Sequence, residues 1–118
     1  MNDVLKRYGS LRNAIAASFS PTTQECVDKA LVFAEQRMRE YTRYDGTPLF
    51  DHDVAVAEIV AKEIGLGRNS TVAAILHDIM RIVSKERPDE VESLSRTIRE
   101  EFGEPVLGII VGLCKISN

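Results

Sequence analysis

The stretch Ala73-Ala74-Ile75-Leu76-His77-Asp78-Ile79-Met80-Arg81 places a His-Asp doublet inside a run that is otherwise apolar on most sides of a helical turn. A helix of that kind is stable only when other helices surround it, so this segment dictates a central helix. The doublet also sets a chemical problem. Burying an imidazole beside a carboxylate is unfavourable unless something pairs with them. A divalent metal is one such partner, and an internal hydrogen-bonded pair is another.

The rest of the chain supplies the surrounding helices. A first helix is plausible from Asp3 to about Ser18, with Val4, Leu5, Leu11, Ala14 and Ile15 as its apolar positions and Gly9 weakening it. Ser20-Pro21 is a start signal, and Thr22 with Glu25 fits a capping box. Val27, Ala30, Leu31, Ala34, Met38 and Tyr41 then recur at helical spacing, up to the turn Asp45-Gly46-Thr47-Pro48. A third helix is expected over Asp51 to Ile64, stopping at Gly65-Leu66-Gly67. Asn69 or Ser70 would cap the central fourth, which runs to about Val83 or beyond. Lys85-Glu86-Arg87-Pro88-Asp89-Glu90 is a charged break. A fifth helix covers Val91 to Phe102 before Gly103, and Pro105 opens an apolar sixth. No strand alternation and no repeat is present, so the expected class is all-α, a bundle of about six helices.

At 118 residues the chain suits one domain, 1–118, with a hydrophobic core of its own. A net charge of −3 without Lys/Arg clusters argues against a nucleic-acid partner. Cys26 and Cys114 sit in apolar patterns without metal-binding spacing, so two reduced thiols in a cytoplasmic protein are expected. The apolar run Val106 to Leu113 is too short for a bilayer, so no membrane role is expected. The apolar helix leading to Ser117-Asn118 suggests a domain that continues in a longer protein.

His52, His77 and Asp78 form the candidate constellation. Two helices can carry two imidazoles and a carboxylate to one point, a donor set suited to Mn, Fe, Zn or Mg-like ions with positions left for water. The competing reading is a chance dipeptide whose His and Asp bond internally.

Three motifs occur in order: Arg43-Tyr44-Asp45-Gly46-Thr47-Pro48 with His52; then Ala73 to Asp78; then Glu101-Phe102-Gly103-Glu104-Pro105-Val106 with Gly112-Leu113-Cys114-Lys115-Ile116. Together they resemble the N-terminal HD-type hydrolase domain of the RelA/SpoT family, which makes and degrades the guanosine alarmones (p)ppGpp in the stringent response. The resemblance runs from Glu35 to Ser117. It implies an all-helical domain holding Mn²⁺ between two His, the Asp of the doublet and a later Asp. By match, His52, His77 and Asp78 would be the metal ligands, and Arg43 and Asp45 would belong to the nucleotide loop. On residue chemistry alone, Arg43 reads equally as a solvated charge and Asp45 as a turn former. The resemblance further implies guanosine nucleotides such as ppGpp as ligands. It also implies a parent GTP pyrophosphokinase, with a downstream synthetase domain that this segment lacks and a later Asp ligand beyond Asn118.

The sequence departs from that family just after the doublet, and the charged loop that follows, Lys85 to Glu90, is also longer and more charged than the family shows. Active members carry a Glu-Asp pair three and four residues after the Asp of the doublet, and here those positions hold Arg81 and Ile82. Neither can act as a base at neutral pH, and general-base help is worth roughly 10²–10⁴-fold in rate. The expectation is therefore a hydrolysis-deficient domain with no catalytic residue, a vestigial metal site and a regulatory or structural role. Its rival is an active metal-dependent 3′-pyrophosphohydrolase. Asp51, Asp53 and Glu86 are the nearby carboxylates such an enzyme would draw on, though none matches the family position. Arg81 follows Asp78 by three residues on one helix face, so it either pairs with Asp78 in place of the missing cation or points to solvent.

Overall fold

Proline and glycine set the helix ends, and six α-helices lie between them among the described residues, which are 8–16, 19–64 and 67–117 of the computed structural model. Helix α1 spans Gly9–Ala16, and the expected start of this helix, at 3–7, lies outside the described residues. Helix α2 spans Pro21–Met38. Ser20 is its cap, accepting a hydrogen bond from the Thr23 amide at 3.2 Å, so Ser20 rather than the Thr22–Glu25 box closes the first turn. Proline at the first helical position leaves no orphan amide there, which favours the earlier start.

Helix α3, Leu49–Ile59, begins two residues before the expected start because Pro48 can end the extended segment and open a helix but cannot sit inside one. Its last stretch, Val60–Ile64, widens into a π turn. The expected stop at Gly65-Leu66 lies outside the described residues. Helix α4, Arg68–Glu86, begins after Gly67 with no side-chain cap, so Asn69 and Ser70 lie inside its first turn rather than capping it. It runs past Val83 because Lys85 and Glu86 are good helix formers. It stops at Arg87 (φ −141°, ψ 63°), whose conformation is restricted by the proline that follows. A 3₁₀ turn, Pro88–Glu90, leads into α5, Val91–Phe102. Gly103, at φ 102°, then reverses the chain into α6, Glu104–Ser117.

Helix α4 is the central element, packed against α2, α3, α5 and α6. Val72, Ala73, Ile75 and Leu76 are fully buried on it, facing Leu31 and Ala34 of α2, Ala57 of α3, Ile98 of α5 and Val106 and Ile110 of α6 as members of one core. Ala74 is buried too, and the small side chains of Ala73 and Ala74 leave room for neighbouring helices to come close. Both cysteines are free thiols at the edge of the core. Among the described residues, no helix is long and apolar enough to cross a membrane.

Candidate metal centre at the His-Asp doublet

The site forms where α3 and α6 lean on the middle of α4. Asp53 of α3 is fully buried, and Asp78 is 5% exposed. One ligand atom from each of Asp53, His77 and Asp78 lies within 4.8 Å of the others. His77 brings its Nδ1 to the Ala74 carbonyl at 2.8 Å. A carbonyl only accepts, so Nδ1 carries the hydrogen, and in the neutral ring Nε2 keeps its lone pair. That Nε2 lies 3.6 Å from Asp78 Oδ1.

Asp53 and Asp78 share one proton between two environments. Burial, and then the neighbouring Asp78 carboxylate, push the Asp53 carboxyl up to about 10. With its proton on, Asp53 has a hydrogen to offer the neighbouring Asp78 carboxylate. Ionised, it has no donor for either oxygen among the described residues. Burial alone would raise Asp78 too, but hydrogen bonds from Asp53 and from Arg81 outweigh it and hold this carboxyl below its ordinary value. Arg81 donates through Nε to Asp78 Oδ1 at 2.7 Å. The guanidinium thus pairs with the doublet rather than pointing free into solvent. Cys114 of α6 closes the far side, its thiol donating weakly to the His77 carbonyl at 3.9 Å.

The other sequence candidates are placed as follows. His52, one residue before Asp53, is half-buried, and its ring nitrogens are not among the gathered ligand atoms. One residue turns a helix by about 100°, and the core packing of Phe50, Val54 and Ala57 points the Asp53 side of α3 at α4. Asp53 is thus the residue that sequence reasoning undervalued. The available signal was an acid between Phe50 and Val54, on the apolar face of its own helix. Asp51 and Glu86 are engaged elsewhere, accepting from the hydroxyls of Tyr8 and Tyr41 respectively. Asp45 accepts from the Thr47 amide at 3.0 Å and the Thr47 hydroxyl at 2.7 Å, and these bonds lower its pKa and close the turn around Gly46 (φ 88°). Arg43 forms the base of that turn, its amide donating to the Thr47 carbonyl. Its guanidinium lies 5.9 Å from the Tyr44 ring. Ile82 is buried, turned toward α2 and α5.

The helices thus enclose a His-Asp doublet with a second buried acid, Asp53, beside it. The family model described as an HD domain matches residues 30–118. A guanosine-3′,5′-bis(diphosphate) 3′-pyrophosphohydrolase of Aquifex aeolicus is 30% identical over 101 residues, covering 86% of this chain and 13% of the relative. A probable GTP pyrophosphokinase of Mycobacterium leprae is 34% identical over 106 residues, covering 89% of this chain and 12% of the relative. A GTP pyrophosphokinase of Brucella melitensis is 29% identical over 101 residues, covering 85% and 12%. The chain belongs to the HD-domain family, as an HD domain of the RelA/SpoT type. It spans only 12–13% of the length of these relatives.

The donor set suits a divalent cation. Two carboxylates and an imidazole are hard and borderline ligands, the Asp53 oxygens lack a donor among the described residues when ionised, and His77 Nε2 lies 3.6 Å from Asp78 Oδ1. Arg81 competes for Asp78.

Proposed function

We propose that this chain is a hydrolysis-deficient HD domain of a RelA/SpoT-type protein, with a regulatory or structural role beside a downstream (p)ppGpp synthetase domain. The parent would be a cytoplasmic GTP pyrophosphokinase, and guanosine nucleotides such as ppGpp would be the ligands, met by Arg43 and Asp45. One observation carries this reading: Arg81 stands 2.7 Å from Asp78, in the position where active members of the family carry an acid. The guanidinium neutralises the doublet from within the chain. A carboxylate at the same position would add negative charge and draw in a metal. Ile82, at the second position of the lost pair, is buried toward α2 and α5 and offers no oxygen to a water. Asp53 holds its proton at neutral pH and is a poor base while it does so.

The rival reading, an active 3′-pyrophosphohydrolase, is favoured by the gathering of Asp53, His77 and Asp78. In that case those three residues would hold a divalent ion such as Mn²⁺, and His52 would join them on the strength of the resemblance alone. A bound ion would supply an activated water and polarise a phosphoryl group.

Incubating the full-length protein with ppGpp and Mn²⁺ separates the two. The expected result is ppGpp binding without release of pyrophosphate above the metal-only control. Turnover that disappears in the Asp78→Ala variant would establish the hydrolase instead.

A further inference from the structure

Away from the doublet, α2, α4 and α5 leave between them a groove with a cavity of about 370 Å³, within the size range of small-molecule sites. Its floor is apolar, formed by Met38, Ile79, Ile82, Val83 and Leu94. Its walls are not. The Arg37 guanidinium of α2 sits over the Phe33 ring, 3.6 Å from the ring centroid, and donates one hydrogen bond to the Phe33 carbonyl at 3.2 Å. A guanidinium has five N–H donors, so most of this fork is unspent. No carboxylate pairs with Arg37 among the described residues. Partial burial lowers its pKa. Across the groove Arg87 has, among the described residues, a loose ion pair of 3.6 Å to Glu90, with both side chains about half exposed. Ser93 and Thr97 line the same wall, with the Thr97 hydroxyl donating to the Ser93 carbonyl at 3.1 Å. Two arginines thus face a cavity that offers them one carboxylate.

We infer that this groove binds a nucleoside monophosphate, with its phosphate between Arg37 and Arg87 and its base on the apolar floor. The unpaired charge calls for an anion, and two guanidinium forks match phosphate oxygens better than a single carboxylate. The Phe33–Arg37 stack and the aliphatic floor call for a flat ring in the same molecule. A bare inorganic anion would leave that floor wet. The groove is separate from the Asp53–His77–Asp78 cluster, although Ile79 and Ile82 belong to the same helix as the doublet. The inference therefore stands whether or not the domain hydrolyses ppGpp.

Methyl-labelled protein titrated with AMP and GMP, and separately with guanosine and inorganic phosphate, tests it by NMR. The nucleotides should shift the methyl signals of Ile79, Ile82 and Leu94 and saturate. Guanosine and phosphate alone should bind at least about tenfold more weakly. Arg37→Gln and Arg87→Gln lie on the surface and should keep the wild-type spectrum elsewhere, yet each should weaken nucleotide binding about tenfold. Unmoved groove methyls, equal binding by guanosine, or nucleotide affinity unaffected by both arginine substitutions would each overturn the assignment.

Discussion

Asp53 and Asp78 set two carboxyl groups side by side against a single guanidinium, and their titration carries a testable consequence for the metal-free protein. Asp53 has its pKa raised to about 10 in the folded chain, against about 3.9 when unfolded. Between those values the folded state keeps a proton that the unfolded state has lost. Stability is therefore fully present below the unfolded value and declines as pH rises toward the folded one. The limiting slope for one proton is about 1.4 kcal/mol per pH unit. Denaturation in a chelating buffer at pH 5 to 8 should show this decline in the wild type, and Asp53→Asn should flatten it. A wild-type curve as flat as the variant's would mean that Asp53 is ionised in the fold. At this scale the sequence was partly legible. His77 and Asp78 stood out in the sequence, and helical spacing put Arg81 within reach of Asp78 while leaving open whether it pairs there or points to solvent. Asp53 did not stand out, because whether position 52 or 53 faces the doublet depends on how α3 rolls against α4, and a single step of about 100° decides it.

Helices were legible where punctuation is chemical and less so where it is positional. Gly103 ends α5 because its φ of 102° suits no other residue well, and the charged break at 85–90 contains a true stop because Pro88 follows Arg87. The start of α4 was misplaced: Asn69 and Ser70 look like caps, but Gly67 holds that position, and Thr71 returns its hydroxyl to the Gly67 carbonyl at 3.2 Å. For α2 the cap is specific. Ser20→Ala removes the acceptor for the Thr23 amide and should lower stability by about 1 kcal/mol. Thermal denaturation followed by circular dichroism measures this. An unchanged midpoint would show that water satisfies that amide equally well.

For the whole molecule, enclosure of α4 is the organising fact, and it follows from the apolar run the doublet interrupts. Leu76 is fully buried one residue before His77. Leu76→Ala should cost about 2–5 kcal/mol, read as a loss of midpoint in urea, and should unfold the domain as one unit. Loss of the site with the fold intact would argue that α4 is less central than its packing indicates. The enclosure also means that the charge of Asp78 must be answered inside the protein, and in this chain Arg81 answers it. Thermal stability with and without Mn²⁺, for the wild type and for Arg81→Gln, tests that claim most directly, because an ion bound only to the folded state raises the melting temperature. The account predicts little or no rise for the wild type and a rise of several degrees for Arg81→Gln. A wild type stabilised by Mn²⁺ as strongly as the variant would contradict it.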